Sequence, residues 1–432
     1  MATRGRTTHT VAGTSSCVRV GLSFIAVVLA AAACGTTHKD APATPGATRS
    51  SMPSSSASRT LVPIPSRTAL PTTSPSPGPA GGFSTTGSMS TPRESNTATL
   101  LSDGRVLIAG GLDRSSTNHN SRLLASAELY DPRSGTFSTT GSMSTPREGN
   151  TATLLSDGRV LMTGGFATSD YPGTPLASAE LYDPRSGTFS TTGSMVSARS
   201  AHTATLLSDG RVLVAGGLSD GSAELYDPRS GKFEPAASMV EVRYEPTATR
   251  LADGRVLIAG GLGSPHSLAS AELYDPGSGT FSPTGSMGSA RLANTATLLS
   301  DGRVLIAGGG RNCEILCEAL ASAELYDPRS GTFSPTGSLG TARIGHSATL
   351  LSDGEVLIAG GGNYTPVLAS AKVFSPKTGT FSTAGSMGTA RWAHTATLLS
   401  DGRVLIAGGD DSSLDSLASA ELWRLAIEPS QP

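Results

Sequence analysis

Aromatic side chains make up only 5% of this 432-residue chain, with two tryptophans among them, which argues against a receptor built on a broad aromatic groove. Cysteine is scarce as well. Of the four, Cys17 and Cys34 lie near the N-terminus, leaving Cys313 and Cys317 with three residues between them. A disulfide-rich scaffold is therefore excluded. Outside the cytoplasm that pair is expected as one local bridge, two free thiols being the other reading. Charge is balanced, with 32 Lys and Arg against 34 Asp and Glu. No basic field for nucleic acid exists. The apolar run from Leu22 to Ala33 is too short for a helix that must cross about 30 Å of hydrocarbon. No nucleophile–base pair or pair of acids stands at a readable catalytic spacing, although sites assembled from distant segments leave no such trace.

What the chain has in abundance is glycine, and much of it repeats. Diglycines fall at 110–111, 164–165, 216–217, 260–261, 308–309, 360–361 and 408–409, seven copies at intervals of 44 to 54 residues. Such a period marks stacked supersecondary units. Each copy reads as an arginine, TATLL, Asp-Gly, RVLIA, the diglycine, a loop of changing length, AELYDP, Ser-Gly, TFSTT and GSM or GSL. TATLL and RVLIA are β-branched, apolar strands joined by Asp-Gly, which supplies the positive backbone angles of a two-residue hairpin turn. Asp-Pro followed by Ser-Gly, as in Asp131-Pro132-Arg133-Ser134-Gly135, reverses AELY into a fourth strand. A four-stranded sheet with two apolar faces cannot cover both alone, so the copies must stack on each other around an axis. The predicted fold is all-β, a seven-bladed β-propeller of four-stranded antiparallel blades over residues 82–425. The N-terminal strand near Phe83 is expected to complete the last blade, which has no TFSTT of its own.

The diglycine after a hydrophobic strand, the tyrosine of ELYDP, the aromatic of GTF and the M-x-x-x-R tail resemble the kelch motif. The run R-x-x-H-T-A-T-L-L-x-D-G-R-V-L-I-A-G-G is most similar to the galactose oxidase type of propeller. The family often has tryptophan where this chain has Phe137, Phe189, Phe233, Phe281, Phe333 and Phe381. The resemblance implies either a binding scaffold or an enzyme of the galactose oxidase or sialic acid epimerase kind. For the copper oxidase version it implies a tyrosine joined to a cysteine, further tyrosine and histidine ligands, and a C-terminal domain supplying one of them. The chain offers only Cys313 and Cys317 for the first of these, and no metal or cofactor is expected.

Ahead of the repeats, Arg4, Arg6 and Arg19 precede the apolar run, which ends in Ala31-Ala32-Ala33-Cys34-Gly35. This resembles a bacterial lipoprotein signal, residues 1–33, and implies that Cys34 is lipidated and becomes the mature N-terminus; ordinary signal cleavage and secretion is the other reading. Residues 34–81 are a Ser-, Thr- and Pro-rich tether too poor in apolar residues to fold, and 426–432 form a tail. The protein is thus expected outside the cytoplasm, held to the membrane by lipid alone, as a monomer.

Alternating strands put the Asp-Gly and Asp-Pro turns on one face and the diglycine loops and Met-to-Arg connections on the other. The second face carries the variation: 112–124, 166–176, 311–320 and 363–368. Recognition of a polysaccharide, peptide or protein is expected there. Arg93, Arg147, Arg199, Arg243, Arg291, Arg343 and Arg391 precede the first strand in every copy. Glu128, Glu180, Glu224, Glu272, Glu324 and Glu421 open the third strand in six, with Lys372 in the sixth copy. Ion pairs bracing blade to blade are expected of them, Arg343 included. The residues after each arginine ring the axial mouth, where Tyr244 and Trp392 are ligand-stacking candidates, with Arg311, Tyr171 and Tyr364 on loops leaning over it. Trp392 packing between blades is the alternative. His202, His346 and His394 share one repeat position with Asn96, Asn150, Asn294 and Pro246, and read as polar residues starting the inner strand, not as metal ligands. Asp410, Asp411 and Asp415 read as a solvated turn, lacking the alternating oxygens of a calcium loop.

Overall fold

Each RVLIA run becomes a short strand whose alternate side chains enter different blade interfaces, which is why it is apolar throughout. In the computed structural model, which describes residues 81–425 except 115–120, 170–172, 218–220, 265, 314–316 and 364, Val106 and Ile108 join a core with Leu405, Ala407 and Leu422. Their neighbours Leu107 and Ala109 pack on the other side against Val160, Met162 and Tyr182. Seven such cores lie between successive blades. A buried Val, Ile or Leu contributes about 1.5–3 kcal/mol, so no blade is stable without its neighbours.

Blade 1 comprises Thr97–Leu100, Val106–Ala109, Ala127–Asp131 and Thr136–Thr139, hydrogen-bonded in that order, and the next five blades repeat it. In blade 7, Thr395–Leu398, Val404–Ala407 and Ala420–Arg424 are joined by Gly82–Thr85, whose Phe83 lies opposite Trp423. The seven inner strands follow one another around the axis, the first beside the last. Two small hairpins, Leu112–Asp113 with Arg122–Leu123 and Gly310–Arg311 with Glu318–Ala319, rise from the diglycine loops. The segments assigned to a signal, a tether and a tail, and with them Cys34, lie outside the described residues.

The first hairpin differs from the expected two-residue turn. The Leu101 N–H donates to the Arg105 carbonyl and the Gly104 N–H to that of Leu101, enclosing Ser102, Asp103 and Gly104. Among these only Gly104 has a positive φ, 88°. The Asp103 carboxylate accepts from the Arg105 N–H and from its guanidinium, and this pins the aspartate in an ordinary conformation where a two-residue turn would need it left-handed. Three-residue loops of this kind recur in the other blades.

The arginines are the largest charged groups in the interior, each 0% exposed. Arg93 donates to the Gly110 and Ser126 carbonyls at 2.9 and 3.0 Å and to Glu128 at 3.0 Å, all within its own blade. The pairs Arg147–Glu180, Arg199–Glu224, Arg243–Glu272, Arg291–Glu324 and Arg391–Glu421 are likewise internal to one blade, correcting the expectation that they span two. It is the arginine backbone that reaches the preceding blade. The carbonyls of Arg147, Arg199, Arg243, Arg291, Arg343, Arg391 and Arg93 accept from Gly111, Gly165, Gly217, Gly261, Gly309, Gly361 and Gly409. The connection runs along the rim of the blade it leaves, so its main chain bonds there while the long side chain reaches forward to the next.

Arg343 does not form the ion pair expected of it. Lys372 occupies the glutamate position and turns to Thr383, 3.3 Å away, while Arg343 keeps the carbonyls of Gly360, Ser370 and Thr341 and the Ser370 hydroxyl, with no carboxylate among them. Burial pushes its pKa down to about 10. Glutamate in the other blades also accepts the backbone N–H after the methionine, as Glu180 does from Ser144 at 2.7 Å; in blade 6 the Gly340 N–H turns to Ser338 instead. Lys372→Glu is therefore expected to stabilise the protein by about 1 kcal/mol, and Glu180→Lys to cost about 3 kcal/mol or more, read from denaturant unfolding. A Lys372→Glu protein less stable than wild type would contradict this account of blade 6.

Candidate functional site

The two faces differ as their loops do. On the short-turn face, grooves recur between blades, the largest of 740 Å³ lined by Asp253, Arg255, Asp301, Arg303, Asp327 and Arg329. Similar grooves of 570 and 580 Å³ lie between blades 2 and 3 and between blades 7 and 1. The Asp-Gly-Arg charges there neutralise one another, Arg303 on Asp301 at 2.6 Å being typical. Repetition of this kind belongs to the frame.

On the other face a cavity of 360 Å³ opens on the axis, lined by residues of every blade. Its position follows from the local fold. In the six blades where both residues are described, the residue after the arginine exchanges backbone bonds with the residue after the diglycine, as Glu94 does with Leu112 and Trp392 with Asp410. The next residue takes a left-handed turn toward the axis. The one after that immediately precedes the inner strand.

The first of these positions divides the mouth in two. Blades 1 and 2 carry Glu94 and Glu148, 1% and 7% exposed. Arg114 Nε lies 2.7 Å from Glu94 and its Nη1 3.9 Å from Asp410. Asp410 is hydrogen-bonded to Glu94 and to Ser416, the latter at 3.1 Å. Burial first, and then the adjacent Glu94, push Asp410 up to about 9, and burial raises Glu94 as well. Burial also raises Glu148, to about 7. Blades 4 to 7 form an apolar arc: Leu262, Leu292, Ile344, Val367 and Trp392, with Cys313 and Cys317, which are disulfide-bonded, beneath their loop.

The candidates drawn from the sequence fare unevenly. Tyr244 is half-buried at the edge of the apolar arc. Trp392 also borders the cavity, but it is 6% exposed and its indole lies against Gly345, where an added Cβ would sit 1.8 Å from Nε1. It is a packing residue with little surface left for stacking. Arg311 does not lean over the mouth unengaged: Glu318 holds both arms of its guanidinium, at 3.0 and 2.7 Å. Tyr171 and Tyr364 lie outside the described residues. Asp411 caps a turn through the N–H groups of Ser413 and Asp415, whereas Asp410 belongs to the acidic cluster. That cluster was missed as a unit. The signal for it was glutamate after the arginine in two successive copies, but Asp410 and Arg114 approach it only through the ring.

The histidines reach backward between blades. His202 Nε2 meets Thr163 and Thr151 at 3.1 and 3.2 Å, His346 meets Thr295 at 3.1 Å, and His394 meets Ser347 at 2.9 Å. Each ring also covers the first glycine of the preceding blade's diglycine. Burial depresses all three pKa values to about 3. These residues do not fit the copper chemistry that the resemblance implies: the cysteines are bonded to each other, and the imidazoles point into separate blade interfaces. Among the described residues no three His, Cys, Asp or Glu side chains are placed to hold a metal ion.

Comparison with known proteins agrees with this architecture. The Kelch motif is matched over residues 95–144. No curated protein matches the chain. Among solved structures, the chain is similar to a novel fungal alcohol oxidase with catalytic diversity among the AA5 family, in complex with copper. The TM-score is 0.65 at 18% identity, over 80% of this chain and 76% of that one. The chain thus carries a Kelch motif on a seven-bladed β-propeller. At that identity the likeness concerns the fold, and no residue role is carried over.

A neutral folded-state histidine stabilises the protein above its ordinary pKa near 6.5, and that contribution is lost as pH falls toward 3. Glu148 and Asp410, raised by burial, act in the opposite sense, their contribution declining as pH rises toward about 7 and about 9 respectively. Changing His202, His346 and His394 together to asparagine, the residue of other blades, is expected to flatten the fall in melting temperature between pH 6.5 and 4. Equal acid sensitivity of variant and wild type would exclude the histidines as its source.

Proposed function

We propose that this protein is a non-catalytic binding propeller, exported and held at the membrane by a lipid on Cys34, that presents its loop-rich face to a protein or glycan. The observation that carries the reading is the contrast between faces: one repeats the same self-neutralised turns, while the other gathers the variable loops around the axial cavity. A packed ring lets those loops differ without loss of the cores beneath them. Val196 and Val240, 70% and 65% exposed in the connections leading to blades 3 and 4, add apolar surface outside the mouth. The reading takes the protein as a monomer.

Probing glycan and peptide arrays with the purified protein tests the face. Binding is expected to weaken at least tenfold in Tyr244→Ala and to be unchanged in Arg329→Ala on the short-turn face; the reverse pattern would assign recognition to the wrong side. The anchor is tested separately in a bacterial host, where Cys34→Ala is expected to move the protein from the membrane fraction to the soluble one. Retention of the variant in membranes would rule the lipid out.

A further inference from the structure

The tightest ring at the mouth is formed by the second residue after each arginine: Ser95, Gly149, Ala201, Glu245, Ala293, Gly345 and Ala393. Its non-glycine members share a left-handed backbone, with φ between 49° and 51°. Bonds from the N–H groups of Ser95, Ala201, Glu245 and Ala393 to the carbonyls of Ala393, Gly149, Ala201 and Gly345 hold neighbours together. Six positions carry a hydrogen, a methyl or a hydroxymethyl. Glu245 alone carries a long side chain, and the only charge.

That carboxyl is placed at a cost. A left-handed conformation is unfavourable for a residue with a Cβ. Glu245 Oε2 is enclosed and accepts no hydrogen bond, and no arginine or lysine pairs with it among the described residues. Burial alone raises its pKa to about 7, with no opposing cation. The Ala201, Ala293 and Ala393 counterparts show that the frame has no need of a carboxyl here. The partly exposed Ala201, Ala293 and Ala393 supply apolar methyl groups to the same 360 Å³ cavity. That space is far larger than the roughly 30 Å³ share of one water molecule. A single carboxylate beside hydrocarbon lacks the several oxygens a hard metal ion requires, but it matches an organic cation carrying its own apolar stem.

We propose that the axial cavity binds an alkylammonium or alkylguanidinium group, with Glu245 as its counter-ion and the methyl groups of Ala201, Ala293 and Ala393 against the alkyl stem. This deepens the binding reading above by naming the chemistry the mouth accepts. Free amines and lysine or arginine side chains of a peptide share that chemistry.

Calorimetric titration of the purified protein with n-butylammonium, n-butylguanidinium and N-acetyl-lysine methylamide tests the assignment, with N-acetyl-norleucine methylamide as the neutral counterpart. The cations are expected to bind and the norleucine compound not to. Glu245→Ala and Glu245→Gln should each weaken cation binding at least tenfold. Since alanine holds this backbone position in three other blades, Glu245→Ala should melt no lower than wild type, which separates lost binding from lost fold. Tighter binding of the capped lysine than of butylammonium would identify a peptide as the source, and the opposite order a free amine. No cation binding at about 10 mM, or equal binding by wild type and Glu245→Ala, would overturn the proposal. An array ligand lost in Tyr244→Ala but kept in Glu245→Ala would leave the loop-face reading standing without it; cation binding with no array ligand would do the reverse.

Discussion

The ring depends on an arginine that bonds in two directions. Its carbonyl accepts an N–H from the second glycine of the preceding blade, and its guanidinium, wholly buried, donates to the carbonyl of the first glycine of its own. Each diglycine is thus bonded by two arginines, one from each adjoining connection. Glycine is required because the backbones approach so closely: a Cβ on Gly111 would lie 2.4 Å from the Glu94 carbonyl oxygen, and both glycines have positive φ. A desolvated guanidinium is costly unless its donors are satisfied, and the nearby glutamate supplies the countercharge in six of the seven blades. The glutamate also accepts backbone N–H groups from the incoming connection, so one carboxylate secures both the charge and the chain path.

Because this arrangement is met by main chain and a few invariant side chains, it leaves the neighbouring residues unconstrained. The position just after the arginine holds glutamate, serine, tyrosine, leucine, isoleucine or tryptophan in different blades, with the same backbone pairing where that pairing is described. An internally symmetric frame therefore supports an asymmetric mouth. Its acidic residues come from blades 1, 2, 4 and 7, and its apolar ones from blades 4 to 7. The histidines show the same economy within the frame: an imidazole kept neutral by burial bridges two blades from a position that asparagine occupies elsewhere, and brings sensitivity to acid.

The number of blades, their strand order and the division into a uniform and a variable face were legible in the repeats, because period and turn chemistry are local properties of a chain. Contacts were less so. Asp103 follows the turn rule for Asp-Gly only until its carboxylate caps Arg105 and lengthens the loop by one residue. Arg and Glu of the repeat were recognisable as partners, but which blade they join depends on the path of the connection. Trp392 and Arg311 looked equally available for a ligand; one is enclosed by Gly345 and its neighbours, the other held by Glu318.

By itself the sequence determined a repeating unit with two apolar faces, and with it a closed all-β ring, since a sheet of that kind has no other way to bury both sides. Tertiary structure decided which residues of distant copies share a surface. Glu94 and Asp410 are 316 positions apart and become partners only because the last blade stands beside the first. Glu245 is an ordinary glutamate in its own segment, and becomes the single charge on the axis once six small residues from other blades surround it. Charge state and burial depend on neighbours in space, which a one-dimensional pattern does not specify.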